Sequence, residues 1–316
     1  MQKVNLEKTG QQISCIGLGT MYFGSKVDEK TSFDILDFYA AQGGTFLDSA
    51  NKYASWIPGF KGGESEMLIG KWMNERKNRS SMLISSKVGF AYGEIPRSLK
   101  KEIIIAECEK SLKRMKVETI DLYFAHAFDT QTPLTETMEA FYQLKRSGKI
   151  RFAGASNFYA WQLAEANSIA NHQGWEGFCC LQQRHTYLEP TLRASFGTQL
   201  LLTPEIANYC ETNEITTMAY SPLLAGAYVD AQKPIPIQYQ SVTSDFRLKV
   251  LKEIATELNV SANAVVLAWM IQTKTIPMVT GSSVNQINEN FSALKFKLAD
   301  EQLQRLEQDV VEPNKY

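Results

Sequence analysis

Four residue types that could share one proton transfer stand at or just beyond the ends of apolar runs in the first 126 residues. Asp48 closes Thr45-Phe46-Leu47-Asp48, and Tyr53 follows in what should be a loop. Lys87 closes a second run, within Ser85-Ser86-Lys87-Val88-Gly89, and His126 a third, Ile120-Asp121-Leu122-Tyr123-Phe124-Ala125-His126. Reducing a carbonyl requires a hydride on carbon and a proton at oxygen as charge builds there. Tyr53 could donate that proton, but a free phenol has a pKa of about 10, poorly matched to neutral pH. An ammonium at Lys87 would favour the phenolate and bring that value down. Asp48 would hold the ammonium and compensate its charge. His126 would either orient the carbonyl oxygen or join the relay, and residue types leave both open. Each residue also has a plainer role: Asp48 as a helix cap, Tyr53 as loop cover, Lys87 as a snorkelling surface side chain, His126 as a core histidine. Their joint occurrence at successive strand ends is what those roles do not explain.

The elements that would have to bring the four together alternate regularly. Val4 to Cys15 reads as a β-hairpin around Lys8-Thr9-Gly10. Strands are then expected at 16–20, 45–48, 82–87, 120–126, 150–155, 177–182, 215–220 and 276–280. Between and after them, helical periodicity covers 29–41, 65–73, 96–115, 133–146, 160–170, 204–211, 246–258 and 286–294. Eight strand-then-helix units predict an α/β fold, a closed (β/α)8 TIM barrel in one domain spanning residues 1–316, with a last helix from about Asp300 to Val310. An open doubly wound sheet usually carries GxGxxG after its first strand. Here the run is Gly17-Leu18-Gly19-Thr20-Met21-Tyr22, with Tyr22 in the third glycine's place. The longest segments without pattern, 54–63, 185–203 and 224–244, all follow strands, so they should lie over one mouth of the barrel, where such enzymes bind ligands.

Composition narrows the classes of partner. The chain has 316 residues, a formal net charge of −1 and no basic run, which argues against nucleic acid. Its five cysteines, Cys15, Cys108, Cys179, Cys180 and Cys210, form no CxxC pair, so neither a zinc site nor a disulfide framework is expected and a reducing cytoplasm fits. No apolar run is long enough to span a bilayer, and the start shows no signal-peptide pattern. A hydrolase or isomerase on the same barrel would need a carboxylate pair or metal cluster, and the three histidines, His126, His172 and His185, have no ligand spacing.

Asp48, Tyr53, Lys87 and His126, taken in order with Gly154-Ala155-Ser156-Asn157, resemble the aldo-keto reductase family, and the likeness runs from Ile16-Gly17-Leu18-Gly19-Thr20 to Gly281-Ser282-Ser283. The resemblance implies a nicotinamide cofactor, since no side chain supplies a hydride. It places Gly19, Thr20 and Asp48 near that cofactor, Ser156, Asn157 and Gln182 on its carboxamide, Tyr220 against its ring, and Ser221 and Leu223 at its pyrophosphate. Gly281, Ser282, Ser283, Gln286, Glu289 and Asn290 would take the adenosine end. Many members set Lys or Arg against the ribose 2′-phosphate. Thr280-Gly281-Ser282-Ser283-Val284-Asn285-Gln286 has neither, so NADP(H) is expected on the family pattern with NAD(H) as the alternative. Tyr22, Phe23, Trp56, Phe60 and Phe128, with His126, could wall the substrate pocket for a small carbonyl compound such as an aldehyde, ketone or sugar. The second functional class, by the same resemblance, is a nucleotide-binding regulatory subunit with slow or secondary reductase activity. Substrate, reaction direction and oligomeric state are not legible.

Overall fold

The structure is a computed structural model and describes residues 1–308. Strands β1 (Lys3–Leu6) and β2 (Gln11–Ser14) form the antiparallel hairpin. Eight parallel strands follow: β3 (Gly17–Gly19), β4 (Phe46–Asp48), β5 (Leu83–Val88), β6 (Ile120–Ala125), β7 (Ile150–Ser156), β8 (Cys180–Arg184), β9 (Thr216–Tyr220) and β10 (Thr275–Val279). They pair in sequence order, and β10 closes on β3. The expected (β/α)8 barrel is therefore the fold.

The helices are α1 (Glu29–Ala41), α2 (Glu64–Arg76), α3 (Lys101–Met115), α4 (Leu134–Arg146), α5 (Ala160–His172), α6 (Pro204–Thr212), α7 (Val242–Glu257), α8 (Ala262–Gln272), α9 (Val284–Asn290) and α10 (Asp300–Glu307). Five of them begin at short polar residues that satisfy the first turn, since Asp28, Thr203, Ser241, Ser261 and Ser283 each accept one of its backbone N–H groups. The stretch 96–100, expected to open α3, lies before it as loop. The expected end of the last helix at Val310 falls outside the described residues.

Helix α8 has no counterpart in the periodicity. Ala262 to Met270 are all buried, so no polar stripe marks its face. It packs on β10 and α9, while α7 packs over α8 and against α10. The seventh βα unit thus carries two helices. No single described helix is long and apolar enough to cross a membrane.

Side chains fill the barrel's lower half. Phe46, Leu122, Phe124, Cys180, Met218, Ile276 and Met278 form one cluster with Leu6 and Ile13 of the hairpin, which plugs the N-terminal end. A Cβ on Gly154 would lie 2.6 Å from the Phe124 ring and 2.7 Å from Cys180 Sγ, so β7 needs glycine there to let these layers meet. With one end plugged, the polar groups at the carboxyl ends of the strands face a single open mouth.

Helices α2 and α3 cross closely at Gly70, where an added Cβ would stand 2.4 Å from the Met115 carbonyl oxygen. Backbone cannot yield as a side chain does. Gly70→Ala should therefore destabilise the fold by about 1–3 kcal/mol, overriding alanine's helix-propensity advantage of about 1 kcal/mol. Urea unfolding measures this, and a stabilised variant would refute it.

Candidate active site

The barrel's strand register delivers the first contact. Asp48 pairs with Ser85 across β4 and β5, and Lys87 lies two residues further along β5 on the same face. Lys87 Nζ donates to Asp48 Oδ2 at 2.6 Å, to the Ser49 carbonyl at 2.8 Å and to the Tyr53 hydroxyl at 3.0 Å. Its three protons are thereby used, and its side chain is fully buried. The other carboxylate oxygen, Asp48 Oδ1, accepts from Ser85 Oγ at 2.6 Å and from Gln182 Nε2 at 3.2 Å.

Burial, rather than Lys87, sets the protonation of the phenol. Desolvation pushes Tyr53 well above its ordinary value, and the Asp48 carboxylate adds to the rise. Desolvation likewise draws Lys87 down, opposed by Asp48. The downward shift of Tyr53 expected from an adjacent ammonium is absent because Asp48 already compensates that charge. The phenol is therefore protonated at neutral pH, the form an acid needs.

His126 follows β6 directly. Its ring centre is 6.2 Å from that of Tyr53, and Phe90 stands edge-on to it at 4.7 Å. Burial, then the charges of Lys87 and Lys52, hold its pKa well below the usual imidazole range. A neutral imidazole offers one N–H and one acceptor, and Nδ1 has no partner among the described residues. Its backbone is pinned by the Val88 carbonyl on one side and the Asn157 amide on the other.

The opposite wall of the mouth is built at the ends of β7, β8 and β9. Asn157, in the left-handed region at φ 57°, donates from Nδ2 to the His126 carbonyl and to Ser156 Oγ. Its Oδ1 accepts from Tyr220 at 2.6 Å and from the Leu200 N–H at 3.0 Å. The Asn157 amide is thus spent on tying three loops together. The Ser156 hydroxyl proton and Gln182 Oε1 find no protein partner among the described residues. One donor and one acceptor side by side match a carboxamide, so this wall fits the nicotinamide end of a dinucleotide. Beyond Tyr220 the chain has positive φ at Ser221, Leu224, Ala225 and Gly226, while Leu223 between them keeps an ordinary φ of −105°. Such strain collects at ligand-binding turns. Gly19 and Thr20 lie next to Asp48, the Thr20 N–H donating to the Asp48 carbonyl.

Ser283 caps α9, and Gln286 folds back to accept from the Ser282 N–H and hydroxyl. Glu289 is exposed and Asn290 buried on the same helix. Gly281 packs against Ile287, leaving no room for a Cβ. Of the expected pocket aromatics, Trp56 stands edge-on to Tyr53 at 6.3 Å, and Phe128 packs on Phe158 and Trp161. Tyr22 and Phe60 are partly exposed, while Phe23 is buried in the core. Phe23 therefore does not line the mouth. A broad groove lies elsewhere, between α4 and α5 near Lys8 and Trp175, and touches none of these groups.

Residues that carried no sequence signal support the walls of the mouth and the loop that carries Tyr53 from behind. Glu107 of α3, almost fully buried, accepts from Asn51 Nδ2 at 2.8 Å, from the Tyr92 hydroxyl and from Lys110. Glu66 of α2 accepts from Ser86 and Arg114. Gln183 accepts from the Asn157 N–H at 2.6 Å and donates to the Phe158 carbonyl. Glu66 and Glu107 lie on amphipathic helices, where a buried polar residue cannot be told from a solvent-facing one, and Gln183 lies in the buried part of β8.

Residues 15–310 match the model of the aldo/keto reductase family. An uncharacterised oxidoreductase of Bacillus subtilis (strain 168), YrpG, is 30% identical, with the alignment covering 98% of this chain and 96% of that one. The norsolorinic acid reductase stcV of Emericella nidulans is 26% identical over 95% of this chain and 79% of its own, and the aldo-keto reductase yakc [NADP(+)] of Schizosaccharomyces pombe 29% over 90% and 84%. The solved structure of a thermostable aldo-keto reductase, Tm1743, in complex with the inhibitor epalrestat superposes with a TM-score of 0.78 at 26% identity, covering 97% of this chain and 99% of that one. The fold and the family match together define an oxidoreductase, and the chain belongs to the aldo-keto reductase family, whose members use NAD(P)H.

The Asp48–Lys87 pair should dominate local stability. Asp48→Asn strands the Lys87 ammonium in a dry site, a loss of about 3–5 kcal/mol. Denaturant unfolding that shows less than about 1 kcal/mol would mean the pair is not desolvated as described.

Proposed function

We propose that this protein reduces an aldehyde or ketone to the alcohol with NAD(P)H, Tyr53 acting as general acid. The observation that carries the reading is the Tyr53 hydroxyl held 3.0 Å from a fully buried Lys87 that is itself paired with Asp48. The bound dinucleotide would supply the hydride, with Ser156 and Gln182 holding its carboxamide and Tyr220 its ring.

The protein's own share is proton delivery and charge stabilisation. As negative charge grows on the carbonyl oxygen, Tyr53 releases its proton and becomes a phenolate. The Lys87 N–H already directed at that oxygen stabilises it without reorganisation. Asp48 keeps Lys87 charged and in place. His126, neutral and 6.2 Å from Tyr53 ring to ring, would donate its N–H to the substrate oxygen and orient it. Trp56 and Phe90 set flat apolar rings edge-on to Tyr53 and His126. A relative from Pestalotiopsis microspora, 26% identical over 96% of this chain and 82% of its own, is named an aryl-alcohol dehydrogenase, which supports an aromatic carbonyl substrate.

NADP(H) is the proposed cofactor, supported by the name of one relative. With no Lys or Arg from Thr280 to Asn290, only neutral hydrogen bonds from that stretch can meet a 2′-phosphate. The preference for NADPH over NADH should accordingly be modest, about tenfold in kcat/KM or about 1.4 kcal/mol. Parallel kinetics with both nucleotides measure it, and a preference for NADH would reverse the assignment.

Tyr53→Phe should lower kcat by a factor of about 100 to 10,000 while leaving NADPH affinity within about twofold. Unchanged turnover would remove Tyr53 as the acid. Because burial raises the Tyr53 pKa, the protonated acid persists below that raised value. Reduction should stay flat from about pH 6 to 9, and alcohol oxidation, which needs the phenolate, should climb with pH. A reduction rate that falls across neutral pH would contradict the raised phenol.

A further inference from the structure

One side chain at the mouth narrows the substrate. Lys52 directly precedes Tyr53 and is half-buried. Its Nζ lies 4.6 Å from the centre of the Phe90 ring and 5.7 Å from that of Trp56. Phe90 is the ring edge-on to His126, and Trp56 the ring edge-on to Tyr53. The cation therefore sits over the two rings that flank the groups that would face the carbonyl oxygen, and its charge reaches His126.

What sets Lys52 apart is the absence of a counter-ion among the described residues. Among the described lysines that are not exposed, Lys87, Lys101, Lys145 and Lys149 each meet a carboxylate, from Asp48, Glu139, Glu176 and Glu109 respectively. Lys52 meets none. Only burial moves its pKa, downward, with no opposing carboxylate. Partial desolvation of an ammonium without a carboxylate is costly, and two aromatic faces at these distances offset only part of it. Arg97 adds a second cation 5.6 Å from the Phe90 ring. A ligand with its own negative charge would supply the missing partner.

We infer that Lys52 is a specificity-determining residue and that the site selects carbonyl compounds bearing an anionic group, carboxylate or phosphate, beyond a flat apolar body. The inference rests on the reductase reading above and deepens it. A lysine ammonium is a point charge that serves either anion; the flat body is the part that Trp56 and Phe90 would hold.

The test compares kcat/KM for 4-carboxybenzaldehyde, 4-formylphenyl phosphate and the neutral 4-formylbenzamide, using the full chain with NADPH. The wild type should favour at least one anionic aldehyde by about tenfold or more, the two anionic arms showing which anion, and the preference should shrink as salt rises. Lys52→Met should cut that ratio about tenfold, chiefly through KM, Lys52→Arg should retain most of it, and Lys52→Glu should favour 4-(trimethylammonio)benzaldehyde instead. A wild type without anionic preference, or the same ratio in Lys52→Met, overturns the inference. If no aldehyde is turned over, the reductase reading fails on its own. Calorimetric binding of 4-carboxybenzaldehyde against 4-formylbenzamide to the NADPH-loaded wild type and to Lys52→Arg and Lys52→Met then decides the role of Lys52. Equal binding of both compounds by all three proteins overturns it.

Discussion

A lysine ammonium with no exposed surface, at the end of a barrel strand, constrains everything around it. Lys87 tolerates that position because Asp48, the Ser49 carbonyl and the Tyr53 hydroxyl take all three of its protons. Two partners come from the neighbouring strand and the turn beyond it, the third from the following loop. The carboxylate in turn leans on Ser85 of β5 and Gln182 of β8. Burying charges costs several kcal/mol per ion unless geometry and further hydrogen bonds return it. The barrel must therefore close before this cluster is satisfied, since β4, β5 and β8 become neighbours of one mouth only in the closed form.

The same requirement explains the polar layer behind the site. Tyr53 is carried by a loop, and a loop alone would not hold a hydroxyl 3.0 Å from an ammonium. Asn51, two residues earlier, is anchored by its N–H to the Lys87 carbonyl and by its amide to Glu107 of α3. Glu107 also receives Tyr92, so the segments after β4 and β5 share one buried carboxylate. On the far wall Asn157 plays the corresponding part, joining the chain after β6 to that after β7, β8 and β9. The segments that carry Asn51, Tyr92, His126, Asn157 and Leu200 are thus each held to a neighbour around the mouth.

Much of this is legible in the chain. Strand ends at Asp48, Lys87 and His126 stand out because short apolar runs stop abruptly at a titratable residue, and eight repeats leave few topologies. Helix α8 is invisible because it is apolar all round, which erases the period that reveals a surface helix. Loop 96–100 reads as helix because Pro96 is a common first helical residue, whereas α3 starts at Lys101. Phe23 resembles a pocket wall, yet the turn after β3 sends it into the core.

The sequence by itself determined the fold class, the order of the elements and which titratable residues reach the rim, because periodicity and strand ends are local properties of the chain. Only the tertiary structure decided how those groups behave. Whether a phenol is pushed up or down depends on how much water is removed and where the nearest charges lie. Here the removal of water around Tyr53, together with Asp48 compensating Lys87, outweighs the ammonium. That balance, like the setting of Lys52 between two aromatic rings, exists only once the barrel has closed.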